Sequence, residues 1–240
     1  MNKTNQSVLF VCYLFWINLL PMLIASFSIT NKQAGSISPN AALYQPPVFA
    51  AAACIILLPL YWSYRSGRHT HTYFANRNLI PMRKKVVWSA TYLGLLFLIG
   101  TYGHPVLEWM FGIPPQELEN QQAIIEWVRS LPSILVLADV VLVAPLAEEW
   151  LFRGILLNIF GDTLQTFAGR FTAAALSALI FGFMHSFYDW PALAIYGAMG
   201  AVLCTVYLHL RDIRWSIAVH MANNAVAISS IYSGLNLNLN

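Results

Sequence analysis

Between Ile134 and Phe160 the chain is apolar apart from Asp139, Glu148, Glu149, Arg153 and Asn158. A stretch of that length can cross a bilayer, which takes about 20 residues. An ionised side chain at mid-membrane depth costs roughly 2.5–3.5 kcal/mol even on lenient insertion scales. Two adjacent carboxylates held there are therefore in use. Their spacing divides the work. Glu149 and Arg153 are four residues apart, so on a helix they share a face and can pair. Glu148 is turned by about 100° from Glu149 and has no cation at pairing distance in the sequence. One carboxylate reads as structural and the other as free for chemistry.

Composition places the whole chain in a membrane. Of its 240 residues 58% are hydrophobic and 10% charged, against about 25% charged in soluble domains. No basic stripe suggests nucleic acid. Cys12, Cys54 and Cys204 are far apart, with neither metal spacing nor a disulfide pattern, and read as small buried hydrophobes.

The apolar runs predict an all-α, polytopic transmembrane bundle of about seven spans. They fall near Val8–Ile29, Pro47–Trp62, Val86–Tyr102, Pro132–Phe160, Phe171–Tyr188, Pro191–Leu210 and Trp215–Tyr232. The first could be taken for a signal peptide, but its only preceding basic residue is Lys3 and the run is long, so it reads as a span. A polar stretch, Ser63–Lys85, carries Arg65, Arg68, Arg77, Arg83, Lys84 and Lys85 with no acid. The loop Gly103–Arg129 is mildly acidic, and its Ile124, Ile125, Trp127 and Val128 fit a short interfacial helix. Gly197, Gly200 and Ala201 suit close helix contact in the sixth span. The expected organisation is N-terminal helices with a basic cytoplasmic loop over 1–130, a core domain over 131–233 and a short tail over 234–240.

Seven spans put the chain ends on opposite sides of the membrane. With the N-terminus in the cytoplasm, ten basic residues lie inside and two, Lys32 and Arg129, outside, as the positive-inside rule requires. The C-terminus is then outside.

Two further polar pairs lie in the later spans. Phe181 and His185 are four apart, and so are His220 and Asn224. Two histidines, an asparagine and two glutamates on three spanning helices are the ingredients of a site that activates water: a carboxylate base, an imidazole to share the proton, and donors for an oxyanion. Counting 1.5 Å per residue, Glu148 and His185 lie about 18 and 22 Å from the basic ends of their helices, and Asn224 about 15 Å. The depths allow one cavity between the C-terminal helices, reached from the cytoplasmic half.

The ordered set Glu148-Glu149-xxx-Arg153, Phe181-xxx-His185 and His220-xxx-Asn224 resembles the CPBP family, the CAAX prenyl endopeptidases and bacteriocin-processing enzymes also called Abi or type II CAAX proteases. The resemblance covers about Pro132–Ile231. It implies an intramembrane endopeptidase in which Glu148 acts as base on water, His185 assists, and His220 and Asn224 hold the oxyanion. Glu149 and Arg153 would be structural, and Phe181 a packing residue that shapes the site. The implied substrate is a membrane-associated peptide or protein in the lipid bilayer, either a prenylated CAAX-type protein or a bacterial leader or sorting peptide. The short N-terminal half suggests a prokaryotic member in the plasma membrane.

No cofactor is expected. The alternative is zinc held by Glu148, His185 and His220, with water as the fourth ligand. Two other functions fit the same residues: an idle scaffold or immunity protein of the same family, and a proton-coupled transporter. The transporter reading lacks the internal repeats such folds carry. His69, His71 and His104 read as solvated or interfacial. Asp139, nine residues before Glu148, shares its face and suits a wet cavity or an interhelical contact. Asp189-Trp190-Pro191 reads as a turn.

Overall fold

The computed structural model describes residues 3–17, 39–67, 73, 80–114 and 118–235. Every regular element among them is helical. Helix α1 is Lys3–Trp16, α2 Pro39–Gly67, α3 Met82–Phe111 and α4 Glu119–Ser130. Helix α5 covers 133–160 in five segments. A short 3-10 turn, Gly161–Gln165, leads to α6, Phe167–His185. Helices α7, Trp190–Leu210, and α8, Ile213–Gly234, complete the bundle. The all-α bundle expected from the sequence is the observed fold.

Four helices are long and apolar enough to cross a membrane unaided: 46–67, 82–111, 167–185 and 190–210. The chain is an integral membrane protein. The other three expected spans take different forms. Most of the first, and the Lys32 loop after it, lie outside the described residues. The fourth, α5, is broken by two π-helical segments. The seventh, α8, carries His220, Asn223, Asn224 and several serines, which lower its hydropathy. His69, His71, Arg68, Arg77 and most of the tail also lie outside the described residues.

The helices run alternately up and down. Met82, at the start of α3, is three residues from Lys85, whose Nζ is 3.8 Å from Asp212 at the α7–α8 turn. At the other end of α3, Phe111 packs edge-on against Trp190, with ring centroids 5.1 Å apart. Gln6 and Asn158 lie beside Gly67, so α1, α2 and α5 share the Lys85 end. Helix α7 is central. Half of its most apolar window is buried, against 11% for α3 at the rim, whose exposed Val86, Leu95 and Phe97 suit lipid contact. One core joins Phe10, Ile56 and Leu60 to Leu151, Phe152, Phe181 and Val206.

Caps fix the three C-terminal helices. The Thr166 hydroxyl accepts from Gly169 N–H, Asp189 from Ala192 N–H and Asp212 from Arg214 N–H, each satisfying a first-turn donor. Asp212 sits at the bundle end, outside the spans. Burial alone would push its carboxyl up, but the Arg214 hydrogen bonds and the nearby Arg214 and Lys85 charges outweigh it and hold it low.

The structure corrects several sequence expectations. Helix α3 continues through Pro105 to Phe111, well past Tyr102. His104 consequently faces inward: it is buried, with Nδ1 3.1 Å from Glu108 Oε1, and is not solvated. Cys54 and Cys12 are exposed on the outer surface of the bundle, where a spanning helix faces lipid, and only Cys204 is buried. Helix α4 is the amphipathic segment expected, with Ile124, Trp127 and Val128 packed on Val136, Val140 and Ile228. Asp189 ends the turn after His185 and caps α7.

Candidate active site

The two glutamates close an α-helical segment, Ala144–Glu149, that lies between π-helical segments Ala138–Val143 and Trp150–Leu156. A π turn carries an i→i+5 bond and is widened by a residue, and such interruptions concentrate at functional sites. Here they re-aim side chains on both sides of the Glu-Glu pair.

Glu149 points into the protein. Its Oε1 is 3.0 Å from Arg153 Nη1 and 3.0 Å from His220 Nδ1, and both Glu149 and Arg153 are fully buried. The pairing expected from four-residue spacing is therefore present. Arg153 Nη2 donates to the Gly200 carbonyl at 2.9 Å. Its guanidinium also lies over the Phe181 ring, 5.1 Å from the centroid, in cation–π range.

Glu148 points elsewhere. Its Oε2 lies 3.9 Å from His185 Nε2 and 3.7 Å from His220 Nε2. These separations are too long for direct hydrogen bonds, and Oε2 is buried with no hydrogen-bond partner among the described residues. The far sides of both imidazoles are committed. His185 Nδ1 donates to the Phe181 carbonyl at 2.8 Å, and His220 Nδ1 donates to Glu149 at 3.0 Å. Neither acceptor has a proton to give, so each neutral ring carries its lone pair on Nε2. Three acceptor atoms thus converge on one small space.

Aromatic rings fix His185. Phe181 stacks on one face at 4.3 Å and 28°, and Tyr196 on the other at 4.9 Å and 27°. Tyr196 also accepts a hydrogen bond from Asn120 of α4 at 3.4 Å. The close packing of α6 on α7 depends on two glycines. A Cβ on Gly182 would sit 2.6 Å from the Leu193 carbonyl oxygen, and one on Gly200 would sit 3.0 Å from Phe181 Cβ.

A cavity of about 460 Å³ reaches this cluster. His185, His220, Phe181, Tyr196 and Asn224 are on its wall; Glu148 is not, and adjoins it through Oε2, 3.9 Å from His185 and 3.7 Å from His220. Asn224 Nδ2 donates to the Val140 carbonyl at 2.9 Å, which leaves one N–H on that nitrogen for a ligand. Of the seven site residues expected from sequence, six meet in one contiguous cluster, and Asn224 joins through the cavity wall. Asp139 is buried and is not on that wall. Among the described residues, no three His, Cys, Asp or Glu side chains are grouped closely enough to hold a metal ion.

Tyr196 is the residue that sequence reasoning missed. A signal existed: Tyr196 and Gly200 are four apart on α7, an aromatic and a gap on one face. An aromatic in an apolar span is too common to stand out alone.

Residues 130–226 match the family model described as type II CAAX prenyl endopeptidase Rce1-like, a segment that contains Glu148, His185, His220 and Asn224. The chain is 31% identical over 144 residues to the "Putative membrane peptidase YdiL" of Bacillus subtilis (strain 168). The alignment takes in 60% of this chain and 55% of the relative, so the chain spans about half the length of the curated protein it matches. No solved structure matches it. The motif residues gathered at one site thus lie inside the segment that is similar to the type II CAAX prenyl endopeptidase family model.

Proposed function

We propose that the protein is an intramembrane endopeptidase that hydrolyses a peptide bond of a membrane-associated substrate. The observation that carries this reading is the convergence of Glu148 Oε2 and the two Nε2 atoms within 3.9 Å. Three acceptors facing one space are matched by a molecule that brings protons, and water is the smallest such molecule. Glu148 takes one proton from water, and the oxygen bonds to the scissile carbonyl carbon. The tetrahedral intermediate collapses with cleavage of the C–N bond, and the proton passes to the leaving amine nitrogen. His185, clamped between two rings, orients the water. The spare Asn224 N–H is a donor for the oxyanion that needs no change of protonation. His220 can assist from Nε2 only when doubly protonated, because its Nδ1–H is given to Glu149.

The reaction is metal-free on this reading, and the substrate is a prenylated CAAX-type protein or a bacterial leader or sorting peptide. The test is cleavage of a quenched peptide library, with and without a farnesyl group, by protein purified in detergent. Glu148→Gln should lower cleavage about 10²- to 10⁴-fold, the usual contribution of a positioned base, and a strong chelator should change nothing. Full activity in Glu148→Gln overturns the assignment of the base. Loss to the chelator with recovery on zinc overturns the metal-free mechanism. No cleavage by the wild type favours the scaffold reading.

A further inference from the structure

The cavity that ends at the two histidines leads to one end of the bundle only. Along α8 its wall runs from His220 to Gly234, about 21 Å of helix at 1.5 Å per residue. The facing walls come from Leu96–Thr101 of α3 and from Leu118, Asn120 and Gln121 at the start of α4. All of these elements lead toward the end marked by the Phe111–Trp190 contact. No wall residue comes from the end marked by Lys85 and Asp212.

Charge separates the two ends. The closed end holds Arg65, Arg83, Lys84, Lys85, Arg170, Arg211 and Arg214. Their gathering there is structural: the Arg170 and Arg211 guanidinium groups both lie against the ring of Tyr73, at 5.8 and 4.6 Å. At the open end the described residues include one basic side chain outside the bundle interior, Arg129, beside Glu108, Glu126 and Asp189. A bias of this size orients a membrane protein with its basic end in the cytoplasm. Depth alone, which allows entry from the cytoplasmic half, misses this, because His220 lies only about 10 Å along α8 from the basic end while its cavity extends the other way.

We infer that the groove opens on the non-cytoplasmic face, so that its ligand is an uncharged, extended peptide segment presented from outside the membrane. The substrate half of this inference rests on the proteolytic reading; the orientation does not. The lining supports the stated chemistry. Among the described wall residues there is no Lys, Arg, Asp or Glu. Amides stand on both sides, Asn120 and Gln121 on α4 and Asn223 and Asn224 on α8, between apolar walls. Side-chain amides donate and accept, and so can pair with a peptide main chain whatever its sequence. A charged segment would enter with no counter-charge.

Cysteine accessibility tests the orientation. Cys12 and Cys54 are replaced by alanine, and the buried Cys204 is kept and run alone as background. Single cysteines are placed at Gln121, Ser230 and Ser66, and the protein is expressed in a bacterial plasma membrane. A membrane-impermeant maleimide on intact spheroplasts should label Gln121→Cys and Ser230→Cys at least tenfold more than Ser66→Cys, which should label fully only after lysis. The reverse order, or equal labelling of all three before lysis, overturns the inference. A periplasmically active phosphatase fused after Asn240 repeats the test without new cysteines: an active fusion supports the orientation and an inactive one overturns it. An impermeant quenched peptide with an uncharged centre should then be cut by right-side-out vesicles and spared by inverted ones. Preference for a charged centre overturns the substrate class. Outward labelling with no cleavage on either side counts against the proteolytic reading and leaves the orientation standing.

Discussion

Glu148 and Glu149 are neighbours in the chain, yet their surroundings have little in common. Around Glu149 the partners of Oε1 are close: two cationic or donor groups at 3.0 Å, full burial, and Arg153 anchored again on the Gly200 carbonyl. Around Glu148 the nearest partners stand at 3.7 and 3.9 Å and the side chain keeps 16% of its exposure. Short contacts between opposite charges hold structure. Longer contacts around an unsatisfied oxygen leave room for a reactant. The lesson is that the same side chain is made rigid or reactive by what faces it, and one step of helix rotation is enough to switch between the two.

The largest test of this contrast acts on stability. Arg153→Ala leaves a buried, unpaired carboxylate, and breaking such a pair typically costs about 3–5 kcal/mol. The folded yield in mild detergent should fall sharply, while Glu148→Gln should match the wild type in the same thermal-unfolding assay. Equal stability of all three proteins would erase the distinction. A smaller effect is expected where α6 meets α7. Gly182→Ala places a Cβ 2.6 Å from a backbone oxygen, and overpacking of this kind costs about 1–3 kcal/mol. Because His185 is three residues on, kcat should fall with KM little changed, which steady-state kinetics would check. The smallest effect belongs to Tyr196. Tyr196→Phe loses one hydrogen bond, worth about 0.5–1.5 kcal/mol, and keeps the stack on His185. Tyr196→Leu loses the stack as well and should be the slower enzyme of the two. The opposite ranking would mean that the Asn120 link, and not the ring, positions His185.

Much of this contrast is legible in the sequence. Four-residue spacing identified the Glu149–Arg153 pair, because helical neighbours depend only on local geometry. The order of motifs on successive apolar runs brought Glu148, His185 and His220 together. What stayed hidden depends on contacts distant in sequence. His220 bonds Glu149 across 71 residues, which turns an expected oxyanion donor into part of the buried network as well. Asn224 is partly committed to the Val140 carbonyl, and Tyr196 acts only through its partner on another helix. The π segments leave no mark that hydrophobic periodicity can read, since α5 is apolar on most sides. The exposed positions of Cys12 and Cys54 were missed for a related reason: in a membrane an apolar residue may face lipid or core with equal ease.

The fully buried Glu149–Arg153 pair has a consequence for the membrane itself. Water and protonatable groups inside a bilayer threaten to short-circuit an ion gradient, in which each unit charge crossing is worth about 2.3 kcal/mol per 100 mV. Here the wet route stops at His220. Beyond it lie the mutually neutralised Glu149–Arg153 pair and then Leu151, Leu157 and Leu164, all fully buried. An ion moving inward meets a pair with no free charge to bind it and then hydrocarbon, so the bundle can hold a polar cavity to mid-depth above an apolar barrier.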